Sequence, residues 1–190
     1  SVAAIYAAAL LAAAALAILF LPDGRRIPVA ACVALYVANV VAYSVYFKNK
    51  VIGDVVSLAI GFVLRVIGGC AAVGIFPTTW LLNVAFFLSM FLAFGKRLGE
   101  RRTLAVAQGD ADDANRLTAH RKVQTLYTDA MLQMVVVVTA VGTLMTYAAY
   151  VQAADVSVNL GFNILWLTLL PATYAMLRCI VLLESGRYDD

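Results

Sequence analysis

The stretch AYSVYFKNKVIGDVVSLAIGFVLRVIGG, residues 42–69, joins the end of one apolar run to the start of another through a short charged break. Each run continues beyond the quoted residues and is long enough to cross about 30 Å of hydrocarbon as a helix. Lys48 and Asp54 lie at the break, and Arg65 lies eleven residues further on, inside the second run. The stretch therefore predicts two spanning helices joined by a polar turn, with an arginine at membrane depth.

The composition of the whole chain agrees with this prediction. Of the 190 residues, 64% are hydrophobic and only 13% are charged, and the mean hydropathy is +0.90. A soluble domain is about half apolar and about a quarter charged. The composition therefore indicates an all-α, polytopic membrane protein, and nothing in the sequence suggests nucleic-acid recognition.

Six segments are long and apolar enough to span a membrane, and together they form one transmembrane domain over residues 1–190. They are residues 2–21, 28–47, 53–74, 79–95, 131–151 and 159–183. We predict a polar loop region at 96–130, a turn at Gly74 and Pro77, and a helix cap at Thr78 or Thr79.

The positions of the basic residues predict the orientation of these helices. If the six helices cross the membrane in alternating directions, all but four of the 14 lysines and arginines fall on one side of the membrane. Arg25 and Arg26 fall on the other side, and Arg65 and Arg178 lie within apolar segments. Because cytoplasmic loops carry the excess of basic residues, we expect the 48–54 and 96–130 loops and both termini to be cytoplasmic.

The first candidate site comprises Tyr43, Lys48, Asp54 and Arg65. A spacing of eleven residues is close to three helical turns, so Asp54 and Arg65 share one helix face, about 16 Å apart along the axis. An arginine in a spanning segment usually faces a wet cavity or a partner. The set indicates one of two arrangements. Either it lines a polar cavity, with Asp54 near the mouth and Arg65 deeper, or Lys48 and Asp54 anchor the helix ends at the membrane surface while Arg65 snorkels or forms a structural pair.

The second candidate is FGKRLGERRTL, residues 94–104, at the end of the fourth apolar segment. Its four basic residues could bind phosphate groups, which suit the arginine side chain, or could contact anionic lipids. Both interpretations remain open. Glu100, among these cations, indicates a local ion pair or a group that faces a metal ion. The four basic residues are Lys96, Arg97, Arg101 and Arg102.

The third candidate is residues 110–133, where Asp110, Asp112 and Asp113 superficially suggest a metal cluster. They lie in the most polar part of the loop region, so we interpret them as a solvated turn at a helix start. His120, the only histidine, extends the basic rim of the loop.

The order of Tyr43, Lys48, Asp54 and Arg65, followed by FLAFGKRLGER at 91–101, resembles the UbiA superfamily of intramembrane prenyltransferases. Within that superfamily, the sequence is most similar to the decaprenyl-phosphate phosphoribosyltransferase branch. The segment HRKVQTLYTDAMLQ, residues 120–133, adds to this resemblance.

The resemblance implies a helical bundle in the bacterial plasma membrane, with a cavity that opens sideways for a polyprenyl chain. It also implies that a phosphoribosyl group moves from phosphoribosyl diphosphate to a polyprenyl phosphate, with Mg²⁺ as cofactor and diphosphate as leaving group, to supply cell-wall synthesis. Asp54 would be the catalytic residue and a metal ligand. The residues that would bind substrate phosphates are Tyr43, Lys48, Arg65, Lys96, Arg97 and Arg101.

The chain also departs from the family pattern. Family members have two further N-terminal helices and a first Asp-rich motif, and residues 1–42 hold only one carboxylate, Asp23. We therefore expect these residues to be the C-terminal portion of a longer chain and to be inactive alone, because one carboxylate does not hold Mg²⁺. Aromatic prenyl transfer from a prenyl diphosphate remains an alternative, as does a non-catalytic role as a lipid-binding or structural subunit of a homo-oligomer or larger complex.

Overall fold

The fold is an all-α bundle, as the sequence predicts. The computed structural model describes residues 2–47, 50, 52–107, 128–153 and 163–185. Within them a short 3₁₀ helix, Ile164–Thr168, precedes the last of the α-helices. The α-helices are α1 (Val2–Leu19), α2 (Asp23–Val45), α3 (Gly53–Val73), α4 (Thr79–Ala107), α5 (Asp129–Ala153) and α6 (Leu169–Ser185).

Five stretches of these helices are long and apolar enough to cross a membrane, and the chain is an integral membrane protein. The first of the six predicted spans coincides with α1, an 18-residue helix that is about 27 Å long. That α1 crosses the membrane stays a prediction. The five stretches are Asp23–Val45, Gly53–Val73, Thr79–Arg102, Asp129–Ala153 and Ile164–Glu184.

Helix α4 is longer than the sequence suggests. Residues 96–107, part of the predicted loop region at 96–130, continue the helix without a break. The charged residues there end the apolar segment, but lysine, arginine, glutamate and leucine all favour helix. The basic residues of the second candidate site are therefore held on a rigid helix.

The turn between α3 and α4 follows its predicted residues. Gly74 ends α3 in the left-handed conformation with φ of 80°, which glycine adopts without steric cost. The Thr78 hydroxyl accepts a hydrogen bond from the backbone N–H of Leu81 at 3.3 Å and so caps α4. Arg25, at the start of α2, donates to the Ala72 carbonyl near the end of α3 at 3.3 Å. The start of α2 and the turn after α3 therefore lie at the same end of the bundle.

The buried core lies among the last four α-helices. Helix α4 lies between α3 and α5, and α2 packs against α3. Elsewhere α2 exposes large apolar side chains such as Leu35 and Val41, as is usual for surfaces that face lipid. The buried core comprises Val55 from α3, Phe91, Phe94 and Leu98 from α4, Leu132, Val136 and Ala140 from α5, and Met176 from α6.

At the opposite end of the bundle from Arg25, charged residues join four helices; we call this the charged end. Asp54 of α3 contacts Arg97 of α4, and Arg101 of α4 contacts Asp129 of α5. Arg102 donates hydrogen bonds to backbone carbonyls in the last turn of α6. The start of α3 and the end of α4 therefore lie together, as the alternating topology predicts. The assignment of this end to the cytoplasm stays a prediction.

Candidate functional site

A pocket of about 180 Å³ lies between α2 and α3. It contains two of the residues singled out in the sequence, Tyr43 and Arg65. Gly61 faces α2, since a β-carbon there would lie 3.4 Å from the Asn39 side-chain nitrogen and 3.5 Å from the Tyr36 ring. The pocket is lined by Tyr36, Asn39, Val40 and Tyr43 from α2 and by Ser57, Leu58, Gly61, Phe62 and Arg65 from α3.

Arg65 provides the charge in this pocket. Its guanidinium donates a hydrogen bond to the Tyr36 hydroxyl. The guanidinium carbon lies 4.9 Å from the Tyr36 ring centroid and 5.0 Å from that of Phe62. Aromatic faces attract a cation at such distances, which offsets part of the cost of a charge in a spanning helix. Arg65 begins about 18 Å along α3, and its side chain is exposed.

A polar contact between α2 and α3 forms one wall of the pocket. The side-chain nitrogen of Asn39 donates to the Ser57 carbonyl at 2.8 Å, and the Ser57 hydroxyl donates to the Asn39 side-chain oxygen at 3.0 Å. Sequence reasoning missed Asn39, Ser57 and Tyr36. Their positions do share helical spacing with Tyr43 and Arg65, since residues three or four apart lie on one helix face, and that spacing could have suggested them.

Asp54 is buried at the charged end, against α4. Its Oδ2 lies 2.7 Å from Nη2 of Arg97, with 1% of the Asp54 side chain and 23% of the Arg97 side chain exposed. Its Oδ1 accepts a hydrogen bond from the backbone N–H of Val55 at 2.8 Å. Both carboxylate oxygens therefore have contacts within the chain.

In the pocket that the described residues form, Arg65 is a lining residue and Asp54 is not. Their eleven-residue spacing places both on one face of α3, but Arg65 reaches Tyr36 of α2 while Asp54 contacts Arg97 of α4. The long arginine side chain can extend sideways along the helix surface, whereas the carboxylate of Asp54 stays close to its own backbone. Arg65 lines the pocket, and Asp54 lies outside its lining.

The other basic residues of the second candidate site also have partners within the chain. Lys96 lies 3.8 Å from Glu100, the local ion pair that the sequence indicated. Arg101 Nε lies 2.9 Å from Asp129 Oδ1, and Arg102 donates to the Leu183 carbonyl at 3.2 Å. These contacts join α4 to its neighbours. Lys48, Asp110, Asp112, Asp113 and His120 lie outside the described residues.

The described residues do not fit Mg²⁺ by themselves. Within the described ranges, no group of three or more histidine, cysteine, aspartate or glutamate side chains could hold a metal ion. Mg²⁺ requires near-octahedral oxygen ligands, and Asp54, the buried carboxylate that the structure describes at the charged end, already contacts Arg97 and a backbone N–H. A Mg²⁺ requirement stays a prediction that rests on the resemblance.

The fold and the pocket thus define an integral membrane helical bundle with a cationic, aromatic pocket between two of its helices. No model of a known protein family matches the sequence. Two curated proteins do match it, both named decaprenyl-phosphate phosphoribosyltransferase. The protein from Mycolicibacterium smegmatis is 30% identical over 159 residues, which cover 80% of this chain and 47% of that protein. The protein from Corynebacterium glutamicum is 30% identical over 166 residues, which cover 84% of this chain and 46% of that protein.

These matches confirm the resemblance found in the motifs. The chain is similar to these two proteins over most of its own length, which fits a partial relative of the decaprenyl-phosphate phosphoribosyltransferase branch of the UbiA superfamily. It spans about half the length of the curated relatives that it matches.

Proposed function

We propose that the protein transfers a phosphoribosyl group from phosphoribosyl diphosphate to a polyprenyl phosphate and releases diphosphate. The observation that carries this proposal is the 30% identity, over at least 80% of the chain, to two proteins named for that activity. The proposed localisation is the bacterial plasma membrane, with the charged end facing the cytoplasm.

The pocket between α2 and α3 supports this function through its chemistry. Arg65 supplies a permanent positive charge, and Tyr36 and Tyr43 supply hydroxyl groups that can donate hydrogen bonds. Pockets for drug-sized ligands measure roughly 300–1,000 Å³, and this one measures about 180 Å³. It therefore suits one phosphate group of the donor rather than the whole molecule.

In the proposed reaction, a phosphate oxygen of the acceptor lipid attacks the anomeric carbon of the ribose. The bond between that carbon and the diphosphate oxygen breaks, and diphosphate leaves with the bonding electrons. Charge accumulates on the leaving group, and fixed cations placed where charge develops stabilise such a transition state. We assign that role to Arg65 in the pocket, and we assign to Arg97, at the charged end, the binding of another phosphate group of the donor. No covalent intermediate with the protein is needed.

The test is a transfer assay in membranes that contain the protein as encoded in full. Labelled phosphoribosyl diphosphate and decaprenyl phosphate are supplied, and the label extracted into organic solvent is measured. We expect lipid-linked label that depends on added decaprenyl phosphate. A second arm supplies a prenyl diphosphate and an aromatic acid. Product in the second arm alone would favour aromatic prenyl transfer, and product in neither arm would favour a lipid-binding or structural role.

A further inference from the structure

The contact between Asp54 and Arg97 gives Asp54 a role that differs from the one its sequence position suggests. We infer that Asp54 is a positioning residue, whose carboxylate fixes the guanidinium of Arg97 between α3 and α4, and that it is not a ligand for a divalent metal ion. This inference goes beyond the proposed function, because it concerns what holds the charged end together.

Burial makes this contact different from the other ion pairs of the charged end. The Asp54 side chain is 1% exposed, whereas Lys96 and Glu100 are 78% and 42% exposed. A buried carboxylate needs a partner charge, since water does not stabilise it there. Arg97 supplies that charge at 2.7 Å, and the Val55 N–H supplies a hydrogen bond at 2.8 Å.

The same geometry argues against metal ligation. A metal ion at Asp54 would have to displace the guanidinium from Oδ2 and would bring a second cation close to Arg97. The structure places Arg97, not further carboxylates, beside Asp54 among the described residues. The carboxylate instead restrains an arginine that has five N–H donors and a side chain that remains 23% exposed, so part of the guanidinium can still meet a phosphate.

A double-mutant cycle tests the pairing in the full-length protein in detergent. Asp54→Asn, Arg97→Gln and the double variant are compared by melting temperature. Removing one partner of a buried pair is more harmful than removing both, so we expect each single variant to melt roughly 10 °C lower and the double variant to recover most of that loss. Arg97→Gln is expected to be the worse single variant, because it leaves the more deeply buried charge.

The exposed pair of Lys96 and Glu100 provides the matched control on the same helix. Lys96→Gln, Glu100→Gln and their double variant should shift the melting temperature little, and their effects should add. Additive losses in the Asp54 and Arg97 cycle would overturn the inference.

Metal binding is measured separately, with Mn²⁺ alone and electron paramagnetic resonance, on the wild-type protein and on Asp54→Asn. Equal Mn²⁺ binding, including no binding in either protein, supports a positioning role. A tenfold or greater loss of affinity in Asp54→Asn would overturn it.

A further test, which rests on the proposed function, measures the donor KM of Asp54 variants in the transfer assay. Asp54→Asn should raise the donor KM several-fold, and Asp54→Glu should restore part of it; a fall in kcat alone would overturn the positioning role. If the wild-type protein transfers no phosphoribosyl group, the proposed function fails, and the melting and Mn²⁺ measurements still decide the inference.

Discussion

The guanidinium of Arg65 donates a hydrogen bond to the hydroxyl of Tyr36, 29 positions away in the sequence, and lies 4.9 Å from the centroid of the same ring. This relationship joins the middle of α3 to the middle of α2. It fixes the direction of a charge that would be unfavourable in hydrocarbon and keeps that charge in the pocket with Tyr43. A phosphate group that enters the pocket would therefore meet an arginine whose position is already set.

The polar contact between α2 and α3 should contribute measurably to stability. Asn39→Leu removes both hydrogen bonds with Ser57, and such bonds in membrane proteins contribute about 0.6 kcal/mol each on average. We expect the free energy of unfolding in mixed micelles to fall by about 1 kcal/mol.

Ser44→Ala is the matched control for that measurement. The Ser44 hydroxyl bonds only to the Val40 carbonyl one turn earlier in its own helix, at 3.0 Å, so its loss should change the unfolding free energy little. Equal effects of the two substitutions would contradict the proposed role of Asn39.

Close packing of α4 against α5 should make Gly142 intolerant of a side chain. A β-carbon at Gly142 would lie 2.9 Å from Cδ1 and 3.2 Å from Cε1 of Phe87, and an overpacked core typically loses about 1–3 kcal/mol. Gly142→Ala should therefore lower the melting temperature. Gly69→Ala is the control, because a β-carbon there would meet nothing within 4 Å and alanine favours helix. A melting temperature that rises in both variants would show that the two helices pack less closely.

Arg102 should hold the last turn of α6. It donates to the Leu183 carbonyl at 3.2 Å and to the Glu184 carbonyl, and the terminal carbonyls of a helix otherwise lack partners. Arg102→Gln should cost about 1 kcal/mol and should speed hydrogen exchange of the amides in the last turns of α6. Lys96→Gln, which removes an exposed side chain on the same helix, should leave that exchange unchanged. Equal exchange in the two variants would show that Arg102 does not cap α6.

Much of the fold follows from local sequence properties. The apolar lengths predict the helices, Gly74 and Thr78 predict how α3 ends and α4 begins, and basic residues predict which ends of the helices lie together. The apolar pattern ends before α4 does, because charged residues end an apolar segment without ending a helix.

The site was harder to predict because its contacts join separate helices. Helical spacing correctly places Asp54 and Arg65 on one face of α3, but it does not say that one meets α4 and the other meets α2. Asn39 and Ser57 are 18 positions apart, and neither has a local pattern that marks it as a partner of the other. Such contacts depend on how whole helices pack, which a single sequence does not encode in short motifs.

The central claim is that the Arg65 pocket binds a phosphate group of the donor, and the donor KM of Arg65→Leu tests it most directly. Arg178→Leu is the matched control, since Arg178 is an arginine within a spanning helix and does not line the pocket. Loss of a charged hydrogen bond typically costs about 1.5–3 kcal/mol, so we predict a KM for phosphoribosyl diphosphate that is roughly tenfold higher or more in Arg65→Leu and unchanged in Arg178→Leu. A donor KM for Arg65→Leu that equals that of the wild-type protein would contradict the claim.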